Sequence, residues 1–264
     1  MNLQVDGAAT LEPEVPMDSV SPNGGVNGTA SNDGRWLHTN PKGGSLANFD
    51  EARRESMFPE GDELFRSIYT RAGTGFGSEV VAVCSAVIGE GKTSVSVGLA
   101  VTIAQDFPDR RVLLVETDVQ RPVLADDFAT EPTPGLLDCL MNREPLQVAC
   151  RPTFLENLHV VPAGGTEQVL GRPLRSSQMA AVVDMMRQTY DIIILDLPAI
   201  LANSDSILLT DLADGVICVV RAGTTPAALV NRAIEQIEEG KLRGLVLNGS
   251  SSAVPGWLRR LAGL

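Results

Sequence analysis

Lys92, Thr93 and Ser94 stand directly behind Gly89-Glu90-Gly91, in the run Cys84-Ser-Ala-Val-Ile-Gly-Glu-Gly-Lys-Thr-Ser94. An apolar stretch precedes this run and another, Val95 to Ala104, follows it, which predicts a strand, a glycine-containing loop and a helix start. Such a turn aims backbone N–H groups and a helix dipole at one point and so makes a nest for phosphate. Ala86, Gly89, Glu90, Gly91, Lys92, Thr93 and Ser94 are the candidate nucleotide-binding set; Lys92 would reach the β- and γ-phosphates and the Thr93 hydroxyl would ligate magnesium. The strict pattern GxxxxGK[ST] is missed by one residue, Ala86 standing where its first glycine belongs. A small residue suffices there if its φ is negative. The plainer alternative is a turn that only joins a strand to a helix.

Carboxylates emerge at the ends of two further apolar runs. Glu116 and Asp118, at i and i+2 behind Val112–Val115, suit a magnesium-shell ligand and a general base; a solvated loop with a helix-capping aspartate is the competing reading. Asp196 closes Ile192–Leu195, the arrangement that holds a metal directly or through a water. The three segments converge on one site for ATP and Mg2+. Lys92, Glu116, Asp118 and Asp196 are its catalytic candidates, and Thr93, Asp118 and Asp196 its metal candidates.

The elements that must position these groups follow from periodicity. Runs apolar on both faces predict strands at Val80–Cys84, Val112–Val115, Leu158–Val161, Ile192–Leu195, Val216–Val220 and Leu245–Leu247. Between them, Met179, Val182, Val183 and Met186 mark one amphipathic helix and Leu229, Val230, Ala233, Ile234 and Ile237 another, with Thr225 as cap and Pro226 as first residue. Alternation of this kind predicts an α/β fold, doubly wound, with a mostly parallel sheet and helices on both faces. Its ligand belongs at the carboxyl ends of the strands.

Composition bounds what else the chain can be. With 33 acidic against 21 basic residues the net charge is -12, which argues against nucleic acid as a partner. Four cysteines without CxxC spacing read as reduced thiols. No apolar stretch is long enough to span a bilayer and no signal sequence opens the chain, so a cytoplasmic protein is expected. Residues 1–58 are rich in Gly, Pro and Asn without apolar periodicity and read as a disordered tail, leaving 59–250 as the nucleotide-binding domain and 251–264 as a short amphipathic end. His38 and His159 have no plausible metal or nucleophile partner, and Asp205 is either a remote site ligand or an ordinary first-turn helix acid.

From about Pro59 to Ser250 the chain resembles the bacterial protein-tyrosine kinases of capsule and exopolysaccharide synthesis, the CpsD/CapB type of P-loop NTPase. Gly89-Glu-Gly-Lys92 is similar to the family's Walker A, Glu116-Thr-Asp118 through Arg121-Pro122 to its Walker A′, and Ile192 to Pro198 to its Walker B. Val161-Pro-Ala-Gly164, Ala213 to Gly223 including Arg221, and Gly244 to Asn248 add further matches, with Asn248 an adenine contact by analogy. The resemblance implies a kinase using Mg·ATP on a tyrosine of a partner protein, self-association into rings, and stimulation by the cytosolic segment of a membrane-embedded polysaccharide co-polymerase.

Four departures qualify it. Glu116 replaces the usual aspartate, the position linked to deprotonating the substrate hydroxyl, and Pro198-Ala199 replaces a proline pair. The oligomerisation motif of one Glu and two Arg survives as Glu63 and Arg66, with Tyr69 in the third place and Arg71 nearby. No tyrosine follows Tyr190, so a phosphorylated tyrosine tail cannot form; Tyr190 is expected to pack at a strand entrance and Tyr69 to be the more exposed of the two. The main rival is a MinD/ParA-like ATPase switch, which would carry a second lysine where Val87 stands; a nucleotide-binding regulator of polysaccharide export that transfers nothing is the third reading. Favouring the switch, Trp257, Leu258, Leu261 and Leu264 with Arg259 and Arg260 form a basic amphipathic end that could rest peripherally on the inner face of the plasma membrane, or else pack on the core.

Overall fold

β-branched runs without a polar face become the central strands of one sheet, because helices bury them from both sides. The computed structural model describes residues 61–73, 78–141, 143–165, 174 and 177–249; the expected tail 1–58 and amphipathic end 251–264 lie outside the described residues. In chain order the elements are α1 (Gly61–Ala72), β1 (Glu79–Ser85), α2 (Lys92–Asp106), β2 (Val112–Glu116), α3 (Leu124–Asp127), α4 (Leu136–Leu140), α5 (Leu146–Ala149), β3 (Arg151–Pro152), β4 (Leu158–Val161), α6 (Ser177–Thr189), β5 (Ile192–Asp196), α7 (Asp205–Asp211), β6 (Gly215–Arg221), α8 (Ala227–Ile234) and β7 (Leu242–Asn248). All six expected strands are present. β3 adds a two-residue antiparallel edge that is too short to leave a periodicity.

The sheet order is β3-β4-β2-β5-β1-β6-β7, with every other pairing parallel. From β1 the chain crosses one way to β2, and from β5 the other way to β6, so winding reverses beside β1 and opens a crevice at the strands' carboxyl ends. Register aligns Val83 and Glu116 with Asp196, bringing the ends of β1, β2 and β5 together. Val80, Ala82 and Cys84 face a layer containing α6, α7 and α8; Val81 and Val83 face α1 and α2. α2 stops at Asp106 because Phe107 precedes Pro108, and a residue before proline avoids the helical region. All four cysteines are buried thiols. Among the described residues no helix is long and apolar enough to cross a membrane.

α1 lies close on α2. A Cβ on Gly98 would come 2.0 Å from the Phe65 ring, so only glycine admits this contact. The pair is fastened by Asp106, whose carboxylate accepts two hydrogen bonds from Arg66, both 2.7 Å, and one from the Tyr69 hydroxyl at 2.6 Å. The Arg66 guanidinium holds the Asp106 carboxyl below its usual range, while burial and then Asp106 push the Tyr69 hydroxyl up to about 12. The expectation that Tyr69 is exposed is thus corrected: it is 6% exposed, its ring edge-on to Phe107, because the apolar side of α1 carries it into the core. Tyr190 is buried too, its ring against His159 of β4. Both tyrosines of the chain are therefore inside the fold. Asp106→Ala removes three bonds from a partly exposed cluster and is expected to cost about 1–3 kcal/mol, lowering Tm by several degrees in a thermal melt.

Candidate active site

The phosphate loop is held from behind. Ala86 is fully buried, and Ala129 is the one non-glycine residue with positive φ among the described residues, so alanine suffices where the strict motif has glycine. Gly89 and Gly91 adopt φ of +85° and +86°, where a side chain would be strained. Gly91 opens α2, and a Cβ there would lie 2.1 Å from Asn248 Nδ2, which itself donates to the Glu90 carbonyl at 2.9 Å. The Asn248 amide nitrogen is therefore engaged on the loop's backbone.

Glu90 is likewise turned to bracing. Its carboxylate, in a residue 1% exposed, accepts from the Val87 amide at 2.8 Å, the Arg221 amide at 3.0 Å and the Thr225 hydroxyl at 2.5 Å. Oε1 ties the loop to the end of β6 and Oε2 braces the loop itself through Val87, so any nucleotide contact by Glu90 falls to its backbone. This also corrects the cap of α8: Pro226 is its N-cap residue and the Thr225 hydroxyl serves Glu90. Arg221 reaches the loop from outside, its guanidinium 3.3 Å from the Gly89 carbonyl. Ser94 is exposed on the first turn of α2.

In front of the loop the chemistry-bearing groups meet. Lys92 Nζ lies 3.2 Å from Asp118 Oδ2, with the two side chains 15% and 4% exposed. Thr93 Oγ1 donates to Asp196 Oδ2 at 2.7 Å and Ser96 Oγ to Asp196 Oδ1 at 2.9 Å. Burial pushes the Asp196 carboxyl up to about 6, although the Lys92 charge and those two hydroxyls pull the other way. Asp118 Oδ1 is buried without a hydrogen-bond partner, with Arg121 3.8 Å from the other oxygen. A buried carboxylate oxygen left over is a place where a cation or a proton donor belongs. Hard oxygen donors from Thr93, Asp118 and Asp196 fit magnesium, which a triphosphate brings with it.

Glu116 is placed differently. It sits at the end of β2, 1% exposed, with Oε1 accepting from the amides of Val123 at 2.5 Å and Leu124 at 3.0 Å, and Oε2 from the Ala163 amide at 3.1 Å. Burial raises its carboxyl above the ordinary range against the pull of those three amides. Sequence reasoning missed Ser96 and Thr117, whose hydroxyls hold the side chain and the carbonyl of Asp196. Ser96 stands one turn behind Lys92, a spacing that could have singled it out. Asp205 begins α7 in the first turn, as an ordinary helix acid does.

Comparison with known proteins bears on the fold and the family. Residues 78–243, more than half of the chain, match the family model of an AAA domain. Tyrosine-protein kinase YwqD of Bacillus subtilis (strain 168) is 31% identical over 171 residues, 64% of this chain and 71% of the relative. The chain belongs to the bacterial tyrosine-kinase family of P-loop NTPases. The crystal structure of the VpsO kinase domain covers 77% of this kinase-family chain and 99% of its own, with a TM-score of 0.66 and 28% identity. The succinoglycan biosynthesis transport protein ExoP of Rhizobium meliloti (strain 1021) is 29% identical over 176 residues, 65% of this chain but only 22% of ExoP. The kinase-family match thus spans a small part of that longer relative.

Proposed function

We propose that this chain is an ATP-dependent tyrosine kinase of capsule or exopolysaccharide synthesis that acts in trans, on a tyrosine of another protein. The observation that carries the reading is the meeting of Lys92 with Asp118, an acid with one buried oxygen unspent, in front of a phosphate loop. The loop amides and Lys92 grip the triphosphate and offset the negative charge that gathers on its oxygens in a phosphoryl transfer. Of the three oxygen donors, Thr93 and Asp196 would hold magnesium, which would supply neutralisation of phosphate charge, and Asp118 is kept for the substrate proton. Asp118 then accepts the proton of the incoming tyrosine hydroxyl, whose oxygen attacks the γ-phosphorus as ADP leaves. With both of the chain's own tyrosines buried, the acceptor comes from elsewhere. A membrane-embedded co-polymerase segment as activator and assembly into a ring belong to the same proposal.

The MinD/ParA-like switch is disfavoured by Val87, whose amide is bonded to Glu90 where that class would present a lysine. The deciding assay is Mg·ATP with a poly-Glu/Tyr substrate and phosphotyrosine detection. Signal well above that of Lys92→Ala supports the kinase; ADP release without phosphotyrosine supports the switch. A pH dependence follows from Asp196. Magnesium prefers the ionised carboxylate, so calorimetric affinity for Mg·ATP weakens as pH falls through about 6, and Asp196→Asn removes that dependence.

A further inference from the structure

Glu116 occupies the place where the resemblance puts a proton acceptor, yet both oxygens of its carboxylate are engaged by backbone amides. Three backbone amides converge on it: Val123 and Leu124, at the start of α3, on Oε1, and Ala163, just after β4, on Oε2. Those amides belong to segments 7, 8 and 47 residues along the chain, so one side chain closes two separate loops onto the end of β2. The loop it closes, residues 117–123, carries Asp118 and Arg121. Its near end is pinned by the Thr117 amide on the Asp196 carbonyl at 3.0 Å, its middle by the Arg121 amide on the Asp118 carbonyl at 3.1 Å. At the far end Leu124 packs into the core, and Glu116 supplies the polar tie to the end of β2.

We infer that Glu116 is a positioning residue that fixes the Asp118 loop, and that the exchange of aspartate for glutamate here is a change of task rather than of arm length alone. The geometry explains the residue type. Glutamate extends past aspartate by one methylene, roughly 1.5 Å, which carries the carboxylate out from the strand to both loops. An aspartate at the same Cα would withdraw it and leave buried N–H groups unpaired, which proteins rarely tolerate. Asp118, with its unspent oxygen and Lys92 beside it, is left as the acid that meets the reacting groups.

This inference rests on the kinase reading for its catalytic half and on the hydrogen bonds alone for its positioning half, so two readouts separate them. Glu116→Gln and Glu116→Asp are compared with the parent in the poly-Glu/Tyr assay, and amide hydrogen exchange is followed by NMR. Glutamine keeps the length and an oxygen for Val123 and Leu124, losing the Ala163 bond. The expected order is parent, then Glu116→Gln within about tenfold in kcat, then Glu116→Asp at least about tenfold lower still, with KM for ATP little changed in both. Exchange at Val123, Leu124 and Ala163 should quicken at least about tenfold in Glu116→Asp, while the Val87 amide does not change. The reverse order, an active Glu116→Asp and a Glu116→Gln slowed about a thousandfold while still binding ATP, would overturn the inference. Unchanged exchange at those three amides would overturn it equally, whatever the activities. A parent that transfers no phosphate but shows the exchange pattern refutes the kinase reading and leaves Glu116 as the anchor of the loop. Should Glu116→Asp fail to fold, Glu116→Gln decides alone, by whether its kcat stays within about tenfold.

Discussion

Lys92→Ala is expected to lower phosphotyrosine formation at least about 10²- to 10³-fold, the usual loss when one preorganised positive group is taken from developing charge. The structure adds a second cost. Lys92 is the closest cation to Asp118, 3.2 Å away, and Arg121 stands back at 3.8 Å. Removing the lysine leaves a 4% exposed carboxylate without its nearest counter-charge, so the placing of the Asp118 side chain is expected to suffer together with the grip on phosphate. Kinetics on Lys92→Ala should therefore show kcat falling further than affinity for Mg·ATP. An affinity loss with kcat preserved would place Lys92 in binding alone.

Glu90→Ala should produce a large loss of stability. The carboxylate satisfies two backbone N–H groups and one hydroxyl in a residue 1% exposed, and truncation leaves all three unpaired. At about 1–3 kcal/mol per buried group left unsatisfied, and less where water reaches the partly exposed partners, a cost of roughly 2–4 kcal/mol follows. For a domain of this size that is a fall in Tm of about 10 °C, readable by scanning fluorimetry. Because Glu90 is the tie between the loop and β6, Mg·ATP affinity should fall in the same variant. Glu90→Gln, which keeps an acceptor, should lose less of both. A Tm within about 2 °C of the parent would show that the loop does not depend on this anchor.

These two residues mark the boundary of what the sequence discloses. Apolar runs such as Ile192–Leu195 read as buried strands because nothing else buries both faces, and the glycine pair before Lys92 reads as a phosphate loop because its backbone conformation is local. The tasks of Glu90 and Glu116 are not local. Glu90 meets partners 131 and 135 residues away, and Glu116 one 47 residues away, distances over which spacing carries no signal. Tyr69 misleads differently: it lies four residues from Phe65 on the buried side of α1, and its polar end finds Asp106 of a neighbouring helix, 37 residues away. Thr225 has the type of a cap, yet the helix starts one residue further on, with Pro226 extended at the N-cap position, and the Thr225 hydroxyl donates to the buried Glu90 carboxylate. Short pieces such as β3 and α3 fall below the length at which periodicity registers.

The fate of the γ-phosphate tests the account most directly. The protein is incubated with γ-labelled Mg·ATP, a tyrosine-bearing substrate and the cytosolic segment of a membrane co-polymerase, and label is followed in substrate, free phosphate and the protein itself. The account predicts label on substrate tyrosine, dependent on Lys92 and Asp118, with none on Tyr69 or Tyr190. Label found only as free phosphate, or carried on either of those buried tyrosines, would contradict it.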